Sequence, residues 1–303
     1  MAESVFPWFG GKTLFLPKIL RLLPQHQTYV EVFGGSGALL MAKHPSPVEV
    51  YNDLDEGLVN FFRVMRSPEN STRLMKLCEM TPYSRSEYIY ARDHWSNEPD
   101  EVVKAYLWYL VARWSFSARF GTMIGFDITA SANHMAGRVN KWRSSIKKMP
   151  KFTERLLKVQ VENRDFRDIL KTYDRSTTLF YLDPPYVPET RRDGTYVHEL
   201  TLEDHYELVE ILLSLQGMAV LSGYENDVYK PLVENNWDRY EYQTWSWADV
   251  RDTNNNNPEK HTREMRTEVI WTNPACKAQH RQLNLFNNAI PAYQGNNEDY
   301  DES

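Results

Sequence analysis

Residues Leu179-Phe180-Tyr181-Leu182 form an apolar run that Asp183-Pro184-Pro185-Tyr186 stops at once. Such a run reads as a buried strand, and two prolines in succession cannot continue a hydrogen-bonded ladder. An acid and a proline carbonyl are therefore presented at the carboxyl end of a sheet, where open α/β folds bind their ligands. The pairing suits an amine conjugated to an aromatic ring, which is flat and weakly nucleophilic. Two acceptors, the Asp183 carboxylate and the Pro184 carbonyl, would draw its nitrogen toward a tetrahedral shape with a usable lone pair. Tyr186 adds a ring face on which a nucleobase can stack. The same four residues also fit a strand ending in a proline turn with a capping Asp. The rest of the chain decides between the two.

Around this strand the sequence alternates strands and helices, with one interruption. Residues 28–32 and 48–52 read as strands, with helices at 38–43 and 55–66. The rhythm then stops, and 73–80, 84–94 and 100–120 all have helical spacing, followed by a loop or hairpin over 121–137 and a basic helix. It resumes with a strand near 159–162, a short helix from Phe166, the strand before Asp183, a helix over 202–214 and a strand at 218–222. Segments 237–244 and 267–272 read as a closing antiparallel pair. The pattern predicts an α/β fold, a doubly wound sheet into which a helical module is inserted. A chain of 303 residues accommodates one such domain of about 200 residues plus the insertion. The expected organisation is a catalytic half over 1–66, the insertion over 67–157, a second catalytic half over 158–274 and a disordered acidic tail over 275–303.

The net charge of -6 argues at first against a nucleic-acid partner, but its distribution matters more. From Arg113 to Lys158 there are ten basic residues against only Asp127 and Glu154, a density that fits either a nucleic-acid surface or a solvated helix face. Cys78 and Cys276 give neither a disulfide framework nor zinc spacing, and no metal site is expected. No run approaches the roughly 18 apolar residues of a membrane span, and the first residues lack a signal-peptide pattern, so the protein is expected in the cytoplasm.

Two glycine clusters and one acid offer different chemistry. Phe33-Gly34-Gly35-Ser36-Gly37 lies where a strand gives way to a helix, so its backbone can approach a ligand closely. It is not a dinucleotide fingerprint, because Leu40 holds the third glycine position. Asp53 closes the next strand, where an acid can bind ribose hydroxyls or cap a helix. Gly11-Lys12-Thr13 resembles the end of a P-loop, but Phe6 stands where its first glycine is required.

Residues 6–12 (FPWFGGK), 31–37 (EVFGGSG), 51–55 (YNDLD), 163–166 (NRDF) and 183–186 (DPPY) occur in the order found in Dam-like DNA adenine methyltransferases. The chain resembles that family, the alpha group of amino-methyltransferases, from about residue 5 to 274. The resemblance implies a Rossmann-like S-adenosylmethionine-dependent methyltransferase sheet with the inserted helices as target-recognition domain. It implies that Trp8, Lys12, Phe33, Gly34, Gly35, Gly37, Asp53, Asp165, Phe166 and Asp183 surround S-adenosylmethionine. Asp183, Pro184 and Tyr186 would hold the exocyclic amine of an adenine extruded from double-stranded DNA. In the insertion, Arg119, Asn133, Arg138, Asn140, Arg143, Lys147 and Lys148 have the chemistry for phosphate or base-edge contacts. RNA or a protein glutamine is the alternative substrate, since the acceptor motif suits an amide or aromatic amine generally. The segment from Gln282 to Phe286 (QLNLF) interrupts a polar tail and resembles the QLxLF motif with which bacterial replication proteins bind the sliding clamp.

Overall fold

The structure is a computed structural model that describes residues 4–8, 15–129, 134–187, 199–245 and 265–279. Its centre is a seven-stranded sheet: β1 (Thr28–Glu31), β2 (Val48–Asn52), β3 (Gln160–Glu162), β4 (Thr178–Leu182), β5 (Met218–Tyr224), β6 (Asp238–Trp245) and β7 (Met265–Thr272). The strands lie in the order β3-β2-β1-β4-β5-β7-β6. The first five are parallel, and β7 runs antiparallel to both β5 and β6. The order reverses between β1 and β4, which pair in register from Thr28 beside Thr178 to Glu31 beside Tyr181. Their carboxyl ends, carrying the glycine turn and DPPY, therefore emerge side by side at the topological switch point, where such sheets open a crevice.

The described helices are α1 (Leu16–Leu22), α2 (Ala38–Ala42), α3 (Glu56–Met65), α4 (Pro68–Met80), α5 (Arg85–His94), α6 (Glu101–Trp114), α7 (Gly137–Leu156), α8 (Phe166–Tyr173), α9 (Leu202–Ser214) and α10 (Lys230–Glu234). Alternate residues of each strand serve opposite faces. Val30, Val50, Phe180 and Leu182 join one core under α8, α9 and α10, while Tyr29, Tyr51, Leu179 and Tyr181 join the other with α3, α6 and α7.

That second core differs from an appended module. Phe6, Phe61, Phe62, Trp108, Tyr109 and Phe152 pack in one cluster, with the Phe61 and Tyr109 rings stacked 5.2 Å apart. The inserted helices and the sheet thus share a single interior. Helix α6 stops at Trp114 rather than running on to 120, because the Ser115 hydroxyl turns back onto the Val111 carbonyl at 2.7 Å and Ser115 bridges to Ile124. Helix α4 begins five residues earlier than its spacing predicts, where Ser67 caps the Asn70 amide and a proline takes the first turn. Residues 275–279, assigned by sequence to a disordered tail, are helical and packed: Cys276 is buried and Lys277 pairs with Asp238 at 2.7 Å.

Candidate active site

The glycine turn is held from β2 and the residues that follow it. Gly34 N–H donates to the Asn52 carbonyl at 2.8 Å, and the Tyr51 hydroxyl donates to the Gly35 carbonyl at 2.6 Å. Gly35 N–H in turn donates to Asp53 Oδ2 at 2.7 Å, while Asp55 N–H reaches Oδ1 at 2.9 Å. Side chains are excluded here for steric reasons. A Cβ on Gly34 would sit 2.1 Å from the Tyr51 ring, and one on Gly35 would sit 2.6 Å from the Trp8 indole. Gly35 and Gly37 also take left-handed φ values of 48° and 61°. Trp8 thus lies against the turn, and Asp53 is oriented beside it.

Asn52 ties this turn to the NRDF segment. Its amide donates to the carbonyls of Val32 and Arg164 and accepts from Arg164 N–H, each at 2.9 Å. Asn163 donates to the Asp53 carbonyl at 2.7 Å. Phe166 is buried, its ring 5.7 Å from Phe33. Asp165 caps α8 through Arg167 N–H and forms an ion pair with the Arg167 guanidinium, which also binds Asp204 and Glu207. Lys12 lies outside the described residues.

Across the crevice, the Ser222 hydroxyl lies 3.1 Å from Asp183 Oδ1 and 3.0 Å from the Tyr181 hydroxyl. The Tyr186 ring packs at 4.4 Å on Tyr224, and its hydroxyl reaches Glu268 at 3.5 Å. A second acid, Glu31, shares this end of the sheet. Its Oε2 accepts from the Tyr29 hydroxyl and from Leu40 N–H, both at 2.9 Å, so it satisfies an amide in the first turn of α2. Burial first, and then the nearby Asp183 charge, raise the Glu31 carboxyl to about 8 against these two donors. Glu31 is thus neutral at pH 7. Sequence reading missed Glu31, Tyr51, Asn52 and Ser222 as contributors, although the first three lie within the motifs quoted above.

The residues predicted for DNA contact divide. Arg143, Lys147 and Lys148 are exposed on α7, and Lys151 continues the four-residue spacing of Arg143 and Lys147 along one face. Arg138 pairs with Asp127 at 3.3 Å, and Arg119 is partly buried. Asn140 and Lys148 line a cavity of about 430 Å³ between α7, Trp8 and Ser36 of the glycine turn. Asn133 lies outside the described residues. Two members of the basic stretch are not surface charges: Arg113 donates to the Lys141 carbonyl at 3.0 Å, and Arg155 is buried in an ion pair with Glu49. Among the described residues no cluster suits a metal, and both cysteines are buried free thiols, Cys276 pushed up to about 12 by burial.

A parallel sheet closed by an antiparallel β6–β7 pair, with a glycine turn and an Asp-Pro-Pro-Tyr strand end meeting at its switch point, defines a Rossmann-like methyltransferase. The chain belongs to the D12 class N6 adenine-specific DNA methyltransferase family, whose profile matches residues 8–254. It is 26% identical over 275 residues to the Type II methyltransferase M1.LlaDCHI of Lactococcus lactis subsp. cremoris, covering 88% of this chain and 93% of the relative. It is 22% identical to the DNA adenine methylase of Escherichia coli (strain K12), covering 69% of this chain and 75% of that one. The DNA N-6-adenine-methyltransferase of Escherichia phage P1 is 23% identical over 69% of this chain and 28% of its own length. Among the described residues no helix is long and apolar enough to cross a membrane.

Proposed function

We propose that the chain transfers a methyl group from S-adenosylmethionine to N6 of an adenine extruded from duplex DNA, in the compartment that holds the DNA, the cytoplasm. The observation that carries this reading is the adjacency of β1 and β4, which brings the glycine turn and Asp183 to one crevice. The turn fits the donor. Its positions exclude a Cβ, its amide and carbonyl are fixed by Asp53 and Tyr51, and the Asp53 carboxylate stands where ribose hydroxyls would be held. When bound, the donor supplies an electrophilic methyl group on a sulfonium. Asp183 and the Pro184 carbonyl accept the two amine hydrogens, which localises the nitrogen lone pair, aligns it and stabilises the positive charge that develops there. Tyr186 offers its ring to the extruded base, a role that requires the Tyr186–Tyr224 contact to open or to present its outer face.

The exposed Arg143, Lys147, Lys148 and Lys151 supply phosphate contacts. Reversing the charges of Lys147 and Lys148 should weaken binding to unrelated sequences and flatten the slope of log affinity against log salt by roughly one unit per lost contact. An unchanged slope would return them to a solvated face. For Gln282 to Phe286, outside the described residues, we propose docking on a bacterial sliding clamp. A peptide of residues 278–290 should bind clamp at micromolar order, and no binding removes that idea.

The deciding experiment is methyl transfer by Asp183→Ala on duplex DNA. The rate should fall by several orders of magnitude while cofactor binding persists. Undiminished turnover would overturn the role of Asp183, and methyl on cytosine in the product would overturn the choice of base.

A further inference from the structure

Ser222 has 0% exposure and stands on β5 beside Asp183, because β4 and β5 pair in parallel with Leu182 against Leu221. A serine hydroxyl has one proton to give. Its possible acceptors are the Tyr181 hydroxyl at 3.0 Å, Asp183 Oδ1 at 3.1 Å and the Leu182 carbonyl at 3.4 Å. The carboxylate alone is charged and has no proton of its own, so it takes the serine proton. The Tyr181 hydroxyl, 3.0 Å from Ser222 Oγ, must then donate into the serine. The result is an ordered chain from Tyr181 through Ser222 to Asp183, buried on one face of the sheet. A carboxylate turns readily about its last bond, since that torsion has broad, shallow wells. An acceptor that must meet an amine hydrogen needs such an anchor.

We propose that Ser222, oriented by Tyr181, is a positioning residue that fixes the plane of the Asp183 carboxylate toward the target amine. The inference rests on the reading of Asp183 as acceptor of that amine. Other groups around Asp183 serve different ends: Glu31 approaches from β1, Tyr229 from the turn at 227–229, and Glu268 of β7 accepts from Tyr186. Neither Glu31 nor Tyr229 is charged at neutral pH, because burial raises both.

The test is single-turnover methylation by Ser222→Ala and Tyr181→Phe of the full chain, across pH, with melting temperature and cofactor affinity measured in parallel. Loss of a hydrogen bond to a charged group should slow Ser222→Ala by roughly ten- to a hundredfold and Tyr181→Phe by about three- to tenfold. Removing a donor also disfavours the ionised carboxylate, so the acid limb of the rate profile should move to higher pH by about one unit in Ser222→Ala. A merely structural serine would change the melting temperature and leave that limb in place. If Asp183→Ala is inactive while both variants keep the parent rate and profile, the positioning role is wrong and the role of Asp183 stands. If Asp183→Ala is active, the underlying reading fails instead. Should Ser222→Ala not fold, Tyr181→Phe decides alone, because it leaves Ser222 in place and removes only the donor behind it.

Discussion

Glu31 and Glu49 lie on adjacent parallel strands, and each is 2% exposed, yet they hold opposite charge states. Glu31, at the carboxyl end of β1, meets a phenol, a backbone amide and the neighbouring Asp183 charge, so burial prevails and its carboxyl rises to about 8. Glu49, near the start of β2, is as little exposed but lies less deep in the protein. There, hydrogen bonds from Arg155, Lys43 and Ser46 N–H outweigh the burial and bring its carboxyl below the usual value. Depth of burial and partners together set the charge of an acid. The structural end of the sheet holds a paired ion, and the reacting end holds a neutral acid beside Asp183. Keeping Glu31 uncharged avoids a second negative charge next to Asp183, the acid proposed to accept the amine hydrogens.

The contrast can be broken most forcefully at Arg155. Arg155→Met should leave Glu49 with Lys43 and the Ser46 amide and remove the bond to the Leu40 carbonyl. The expected loss is about 3 kcal/mol of unfolding free energy, the low end for breaking a buried pair because Lys43 remains. Urea unfolding at pH 7 measures it, and a loss near zero would mean that the pair holds nothing together.

Glu31→Gln should alter the pH dependence of stability rather than its value in acid. A raised carboxyl contributes stability that is present below pH 4.5 and lost as pH rises through about 8. The slope in that window is on the order of 1.4 kcal/mol per pH unit at most. The variant should therefore gain on the parent between pH 5 and 8 and run parallel to it above. Glu49 has the opposite sign, its stabilisation being lost as pH falls below 4.5. Unfolding curves of Glu31→Gln and parent that stay parallel from pH 5 to 9 would refute the neutral glutamate.

The smallest effect belongs to Tyr29→Phe, which deletes one donor to Glu31 and should cost about 1 kcal/mol. Because that donor favours the ionised form, the cost should be larger at pH 9 than at pH 6. Equal costs at both would show that the hydroxyl does not sense the charge.

The strands, their order of motifs and the carboxyl-end site were legible because each rests on local chemistry: an apolar run, a proline stop, a turn that demands glycine. The pairing of β6 with β7 was legible for the same reason. What could not be read was any contact that depends on how the insertion folds back. Arg155 counts as one more cation in a basic stretch, and only the packing of α7 against β2 makes it a core residue. Ser222 and Tyr181 are unremarkable strand residues until β4 and β5 align. Asp165 looks like a ligand residue in NRDF, whereas its local position also makes it the cap of α8. Short helices such as α1 and α10, at 7 and 5 residues, carry too little periodicity to stand out.

The shared interior of the sheet and the inserted helices has a consequence for how specificity can change. If residues 67–157 were a cassette, a recognition region from a relative could be transplanted whole. Here Trp108 and Tyr109 of α6 and Phe152 of α7 pack on Phe6, Phe61 and Phe62, which lie outside that segment. A transplant would meet a mismatched surface and leave voids costing several kcal/mol. A change of target would instead have to come from exposed residues of the insertion altered one at a time, with the phosphate contacts proposed for Arg143 and Lys147 left in place. A recognition surface on these helices would be free to drift only as a skin over an interior shared with the sheet.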